Sequence, residues 1–230
     1  MNVSSPRRAV VRLVATSCLA LVVMCTSIVS ARAVTIDMVT VGDPGNANDP
    51  ATGNTYGAVG YSYQIGKYDV TIGQYTEFLN AVAATDTYDL YHGNMGTDLN
   101  VAGISRSGSP GSYTYSVMTN GESSGNRPIT YVTWFDSARF ANWMANGQPT
   151  GAQTSTTTEN GAYNLSDAWN GNAVAKNATN PNTGLAPSFF IPLENEWYKA
   201  AYYSPALNSG SGGYYTYATQ SNTCLLYTSP

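Results

Sequence analysis

Three short passages in which an alternating, strand-like pattern runs directly into a helical pattern constrain this fold more than any other feature. They occupy residues 56–82, 127–144 and 188–203, and the stretches between them are rich in Gly, Ser, Thr and Asn. Residues of these types favour turns and loops. With 43% hydrophobic and 10% charged residues among 230, the chain can form one hydrophobic core. We therefore predict a mixed α/β domain of the α+β class, rich in irregular loops.

The first passage carries the clearest local signal. Tyr61, Tyr63 and Ile65 alternate with polar residues, as in a half-buried strand. Thr71 is placed to cap the following helix, and Gln74, three residues later, can bond back to the amide of the cap, which predicts a capping box. Apolar side chains then recur at helical spacing and predict one buried face: Tyr75, Phe78, Leu79 and Val82.

The second and third passages predict two further helices. Thr133 can cap the second helix, and Asp136 places a carboxylate in its positively polarised first turn. Glu194 and Glu196 favour the start of the third helix for the same electrostatic reason. Because they are two positions apart, they point to different sides of the helix and do not form a general acid and base pair. Three tryptophans of these helices are expected in the core: Trp134, Trp143 and Trp197.

The remaining stretches predict little regular structure. A first strand is expected within Val34–Val41, a hairpin strand at Ser112–Val117 and a strand fragment at Tyr163–Leu165. Residues 85–125 are otherwise expected to be mostly surface loop.

Two loop features resemble metal sites, but neither is favoured. The only histidine, His92, has no second histidine or cysteine partner and is expected to be an ordinary loop residue. The segment Gly42–Pro50 is interpreted as a turn-rich loop, and a calcium-binding loop is the alternative. It lacks the glycine and the terminal glutamate of the known calcium-loop pattern. Its oxygen-bearing side chains are Asp43, Asn46, Asn48 and Asp49.

The N-terminal residues 1–33 are typical of a bacterial secretory signal. Arg7, Arg8 and Arg12 precede an apolar run over residues 13–29, and the segment ends in the small-x-small pattern Ala31-Arg32-Ala33. A membrane anchor is the alternative, but the run is short for a membrane span. We expect cleavage after Ala33, no membrane span in the remaining residues given, and a periplasmic, cell-surface or extracellular location.

The residues after this leader are acidic and contain a single cysteine. Six basic residues stand against fourteen acidic ones, which gives a net charge of −8. This balance leaves no basic surface for nucleic acid or anionic lipid. Cys18 and Cys25 lie in the leader, so only Cys224 remains and no disulfide framework is expected, despite the oxidising destination.

The last residues do not fit the domain. Residues 224–230, CLLYTSP, match one reading frame of a transposase adapter that is used to prepare sequencing libraries. We therefore assign residues 223–230 to an adapter artefact and give Cys224 no functional role. The authentic sequence is expected to end near Asn222 or Thr223, and the domain is assigned to residues 34–222.

Three segments, in this order, resemble the formylglycine-generating enzyme family, also called the sulfatase-modifying factor family. Residues 67–78, KYDVTIGQYTEF, are similar to its E-V-T-x-x-Q-Y-x-x-F segment, with Asp69 at the acidic position. Residues 127–143, which begin RPITYVTWFDSA, are similar to P-V-x-x-V-S-W-x-D-A-x-x-Y-C-x-W. Residues 191–201, IPLENEWYKAA, are similar to L-P-T-E-A-E-W-E-Y-A-A. The order and combination of the three segments are specific, and the resemblance identifies residues 34–222 as part of such a domain.

The resemblance implies the sulfatase-modifying-factor fold, which is distantly similar to C-type lectins. Family members oxidise a cysteine of a protein substrate to formylglycine with oxygen and a copper ion held by a pair of cysteines, and they bind structural calcium. The resemblance places the cysteine pair and the calcium ligands after Asn222, so no catalytic or cofactor-binding residue is assigned within the domain. It implies an oxygen-dependent oxidoreductase that acts on a protein or peptide.

Two positions depart from the family pattern, and two other functions stay open. Ala141 stands where many relatives have a cysteine, and Leu193 replaces the threonine that caps the third helix, a cap worth about 1 kcal/mol. The main alternative is a non-catalytic extracellular or surface-associated binding module on the same scaffold, with a surface glycan as its ligand. An iron-dependent relative that forms carbon–sulfur bonds needs histidine ligands and ranks last, since His92 is the only histidine.

Overall fold

The computed structural model describes residues 33–120 and 122–224. Its helices are α1 Ile72–Val82, α2 Asn94–Thr97, α3 Trp134–Ala145, α4 Glu194–Tyr202 and the single turn α5 Leu207–Gly210. Its strands are β1 Met38–Val41, β2 Tyr63–Gly66, β3 Ile104–Ser107, β4 Thr114–Val117, β5 Thr119–Asn120, β6 Glu122–Ser123, β7 Tyr203–Ser204 and β8 Gly213–Tyr214. The expected leader, apart from Ala33, and the end of the expected adapter segment, from Leu225 onward, lie outside the described residues.

The strands of the described ranges form four separate two-stranded antiparallel sheets, which pair β1 with β2, β3 with β4, β5 with β6 and β7 with β8. This mixture of small helices and small antiparallel sheets confirms the α+β class. The hairpin strand expected at Ser112–Val117 is confirmed as β4, whereas Val34–Val41 forms a strand only over β1. The strands expected before α3 and before α4 are both wrong, because within the described residues neither 127–132 nor 188–192 forms a strand, and Pro128 makes only an isolated bridge to Thr71. The fragment expected at Tyr163–Leu165 is reduced to an isolated bridge between Tyr163 and Lys176.

Side-chain caps explain where the two long helices begin. At α1 the Thr71 hydroxyl accepts a hydrogen bond from the Gln74 amide at 3.2 Å, and the Gln74 side chain accepts one from the Thr71 amide at 2.8 Å. Thr133 and Asp136 form the same reciprocal pair at α3, at 3.1 and 2.8 Å. The amides at a helix start have no partner within the helix, so these caps stabilise both starts. The predicted caps at Thr71 and Thr133 are therefore confirmed.

The main core lies between α1 and α3. The ring centroid of Phe78 is 5.4 Å from that of Phe140 and 5.2 Å from that of Trp143, and all three side chains are buried. Aromatic pairs at this spacing add to the stability gained by apolar burial. A second cluster covers another face of α3 around Ala138, and the partly buried Trp134 packs against it. The predicted core position of Trp143 is confirmed.

The stretch 85–125 is mostly exposed, as predicted, but some of its side chains also contribute to the core. Leu90, Met95 and Ile104 are buried in the main core. The Tyr75 hydroxyl donates a hydrogen bond to the Leu90 carbonyl at 2.9 Å, and the Asp86 carboxylate accepts one from the Leu90 amide at 2.8 Å. These bonds hold the loop in the core because a buried backbone amide or carbonyl needs a partner.

Helix α4 buries charged side chains and exposes its tryptophan. Glu196 and Lys199 are 3% and 1% exposed, whereas Trp197 is 52% exposed. The Glu196 carboxylate accepts hydrogen bonds from the Tyr61 hydroxyl and the Leu193 amide. The Lys199 ammonium donates to a backbone carbonyl of the loop after β1 at 2.7 Å. The core position expected for Trp197 is therefore wrong, because these tertiary partners draw the opposite residues inward.

Candidate functional site

An open groove of about 1160 Å³ lies between the β1–β2 sheet, helix α3 and the segment Ser188–Pro192. We call it the central groove. Apolar side chains from all three parts line it, including Ile65, Phe140, Met144 and Phe190, and Ile36 before β1 and Trp197 of α4 add to the lining. Phe140 and Met144 also belong to the main core, so the groove opens directly onto that core.

The backbone along the central groove carries unpaired hydrogen-bonding groups. Strands β1 and β2 pair only with each other, so within the described ranges each keeps one edge without a neighbouring strand. Phe189 and Phe190 likewise have no backbone hydrogen bond to any described residue. Open edges of this kind allow a polypeptide segment to bind by adding a strand.

One of the residues that line the groove carries a buried carboxylate. It belongs to Glu196 and accepts hydrogen bonds from the Tyr61 hydroxyl at 2.8 Å and from the Leu193 amide at 2.7 Å. The Tyr63 hydroxyl donates to the Glu196 carbonyl. The bond to Glu196 raises the pKa of Tyr61, and burial, together with the Glu196 charge, raises the pKa of Tyr63 to about 12. Both tyrosines therefore stay protonated at neutral pH and supply no base there.

The two glutamates of α4 are separated by the helix. Glu194 is exposed at the helix start, whereas Glu196 is buried against the tyrosines. They do not form an acid and base pair, as their spacing predicted.

The loop Gly42–Pro50, considered above as a calcium site, accepts hydrogen bonds from two tyrosines of α4 and β7. The Asp49 carboxylate accepts hydrogen bonds from the Tyr198 hydroxyl at 2.8 Å and the Ala51 amide at 2.9 Å. The Asp43 carboxylate accepts one from the Tyr203 hydroxyl. Burial, followed by these carboxylates, raises the pKa of both tyrosines to about 12. These bonds tie the loop after β1 to the C-terminal part of the described chain.

His92 and Cys224 do not line the central groove. The His92 ring stacks on Tyr131 with centroids 5.2 Å apart, and its Nδ1 accepts a hydrogen bond from the Asn94 amide at 3.2 Å. No group of three or more His, Cys, Asp or Glu residues in the described ranges could hold a metal ion. Cys224 is the only cysteine there, so these residues do not fit a copper site that needs a cysteine pair. The catalytic residues expected after Asn222 stay a prediction.

The sequence did not indicate the central groove. Its lining joins segments that are far apart along the chain, such as Ile65 and Phe190. One signal was available, since Tyr61, Tyr63 and Ile65 share a face of the predicted strand. That face indicates burial but does not identify Glu196 as the partner of the tyrosines.

Comparison with known proteins gives one match. Residues 37–224 match the family model described as the sulfatase-modifying factor enzyme 1-like domain. No curated protein and no solved structure matches the chain. In the part of the chain that the structure describes, no helix combines the length and the apolar character needed to cross a bilayer.

Proposed function

This chain belongs to the sulfatase-modifying factor family, and from that premise we propose that it is an exported, oxygen-dependent oxidoreductase domain that acts on a cysteine of a polypeptide. The observation that carries the proposal is the central groove. Its open strand edges and apolar walls suit a polypeptide segment better than a small polar ligand.

The size of the groove supports a polypeptide ligand. Its volume of about 1160 Å³ exceeds the roughly 300–1,000 Å³ of small-molecule pockets. A segment that paired with the open edge of β2 would place every second side chain on the face of the sheet that carries Ile65. The half-exposed Trp197 adds an aromatic surface of the kind that is enriched where proteins bind partners.

The proposed reaction converts the substrate cysteine to formylglycine. The bond between the cysteine β-carbon and sulfur breaks, a carbon–oxygen double bond forms, and sulfur leaves as hydrogen sulfide. Dioxygen is the oxidant, and two electrons from an external thiol complete its reduction to water and the aldehyde oxygen. The described residues do not fit the copper that the family implies, so we assign them binding and positioning of the polypeptide and no redox step.

Location and wider fold belong to the same proposal. The leader pattern over residues 1–33 supports export to the periplasm, the cell surface or the exterior. The α+β mixture of short elements and long loops supports a distant relationship to C-type lectins. Both features agree with a family member that acts on proteins outside the cytoplasm.

The test uses the complete gene product, with its sequence read past codon 222. The protein is loaded with copper and incubated in air, with a thiol reductant, with a pool of short cysteine-containing peptides. Mass spectrometry should find the aldehyde in a subset of peptides and no aldehyde without oxygen. Peptide binding without aldehyde would instead favour the non-catalytic binding module.

A matched pair of variants tests the groove. Ile65→Arg places a charge in the groove lining, whereas Leu99→Arg places one at a residue that is 94% exposed and outside that lining. We expect kcat/KM to fall by at least about tenfold, equivalent to about 1.4 kcal/mol, for Ile65→Arg and to change little for Leu99→Arg. Equal activity of both variants with folded structure retained would contradict the assignment of the groove.

A further inference from the structure

The chain contains four Asn-Gly dipeptides, at residues 120–121, 146–147, 160–161 and 170–171. In such a dipeptide the glycine nitrogen can attack the asparagine side-chain carbon, because glycine has no side chain that hinders the approach. A carbon–nitrogen bond forms and ammonia leaves, which gives a cyclic imide. Water then opens the imide to aspartate or isoaspartate. These two steps need no reagent other than water. The local structure therefore decides which of the four dipeptides reacts.

The dipeptide at 170–171 is not restrained by hydrogen bonds to the described residues. Asn170 and Gly171 are both exposed, and neither forms a hydrogen bond with any described residue. Gly171 has a φ of +110°, and no atom lies within 4 Å of the position that a Cβ would take. The side-chain amide and the attacking nitrogen are therefore both free to reach the geometry of ring closure.

In contrast, hydrogen bonds restrain the dipeptide at 146–147. The Asn146 side chain donates to the carbonyls of Thr157 and Asn160 at 3.0 and 2.8 Å, and its oxygen accepts from Asn180 at 2.9 Å. The Gly147 amide donates to the Met144 carbonyl at 3.1 Å. Ring closure there requires these bonds to break first, which is a local unfolding event.

The dipeptide at 160–161 is restrained less than the one at 146–147 and more than the one at 170–171. The Gly161 amide donates to the Asn160 side-chain oxygen at 2.9 Å, and that oxygen also accepts from Asn177 at 3.1 Å. Gly161 is buried, so water and base reach this amide poorly. The dipeptide at 120–121 includes a residue outside the described ranges.

We propose that Asn170 is a site of spontaneous deamidation in the folded protein. The reaction adds one negative charge to an acidic surface. As isoaspartate it also adds a carbon to the backbone close to Ala168, whose carbonyl accepts a hydrogen bond from the buried Arg139 at 2.8 Å. Aged protein is therefore expected to be a mixture of charge forms that differ at residue 170.

The test ages the purified gene product in mildly alkaline buffer made with heavy-oxygen water and follows each dipeptide by peptide mapping. Deamidation is read as the amide-to-acid mass change with incorporated label. We expect Asn170 to convert at least about tenfold faster than Asn146, since the hydrogen bonds of the Asn146 side chain and the Gly147 amide must break before the latter reacts. An Asn170→Ser variant should lose the additional charge form.

A second sample, unfolded in urea, is the control for the role of structure. In it, Asn146 and Asn170 should convert at similar rates, because both then lie in unstructured chain. Equal rates in the folded protein would overturn the proposal. The same would follow if Asn170 stayed intact while the unfolded sample reacted, or if the unfolded sample kept the full difference between the two sites.

Discussion

Arg139 shows how a charge is buried in the interior of this protein. Its guanidinium donates from Nε and Nη2 to the two carboxylate oxygens of Glu159, at 2.8 and 2.7 Å. The Tyr88 ring centroid lies 4.0 Å from the guanidinium carbon. Nothing in the sequence indicates this pair, because its members are 20 residues apart and Arg139 lies within the apolar pattern of α3. Only the folded chain brings them together.

Glu159→Ala should destabilise the protein strongly. It leaves the buried Arg139 charge without its partner, and removal of one member of a buried pair costs about 3–5 kcal/mol. Urea denaturation measures the free energy of unfolding. The control is Glu122→Ala, which removes an exposed partner 3.5 Å from Arg127 and should cost less than about 1 kcal/mol. Similar losses for the two variants would show that burial is not what makes the Arg139 pair important.

The half-buried Tyr63 should make the protein sensitive to alkali. The pKa of Tyr63 is raised from its ordinary value of 10.0 to about 12, mainly by burial. Above pH 10 the unfolded chain loses this proton while the folded chain keeps it, so the stability present below pH 10 falls as the pH rises toward 12. Tyr63→Phe should make that fall less steep in urea denaturation repeated across this range. An unchanged slope in the variant would count against the burial of Tyr63.

At the scale of elements, local signals predicted helices better than strands. The caps at Thr71 and Thr133 act within four residues, so the sequence alone indicates where α1 and α3 begin. A strand needs a partner from elsewhere in the chain, which the alternation before α4 does not have. The prediction of which face of α4 is buried was also wrong, because a helical hydrophobic pattern places charged residues such as Glu196 and Lys199 on the solvent-exposed face. Distant partners of those two residues decide otherwise.

Leu193→Thr should stabilise helix α4. Leu193 occupies the cap position with suitable backbone angles, φ −67° and ψ 157°, but its side chain cannot accept a hydrogen bond. A threonine hydroxyl can accept one from the Glu196 amide, and such a cap is worth about 1 kcal/mol. The increase should appear in the free energy of unfolding. Leu193→Ala, which removes the same side chain without adding an acceptor, should change it little, and an equal effect of both variants would rule out capping as the cause.

Two tryptophans of different helices should respond differently to truncation. Trp143 is 1% exposed and Trp197 is 52% exposed. Trp143→Ala opens a cavity in the main core and should cost about 3–5 kcal/mol. Trp197→Ala removes a half-exposed side chain and should cost about 1 kcal/mol or less. Equal losses in urea denaturation would mean that Trp197 is buried in solution, as the sequence pattern first indicated.

At the scale of the whole molecule, residues from several distant segments of the described chain line the apolar central groove. The loop after β1 is tied to the C-terminal part of the chain by tyrosine hydroxyls, such as that of Tyr198, which donates to Asp49. The segment Ser188–Pro192 lines the groove together with the β1–β2 sheet. The family resemblance predicted the kind of domain, but the groove depends on contacts between distant segments and could not be derived from local patterns.

The central claim is that a polypeptide binds along the open edges of the central groove, and hydrogen exchange tests it most directly. Exchange of backbone amides in the complete gene product is measured with and without the cysteine-containing peptide that it modifies or binds most tightly. We expect the peptide to slow exchange in β2 and in residues 188–191, and to leave the β3–β4 hairpin unchanged. Saturating peptide that leaves β2 and residues 188–191 unprotected would contradict the account.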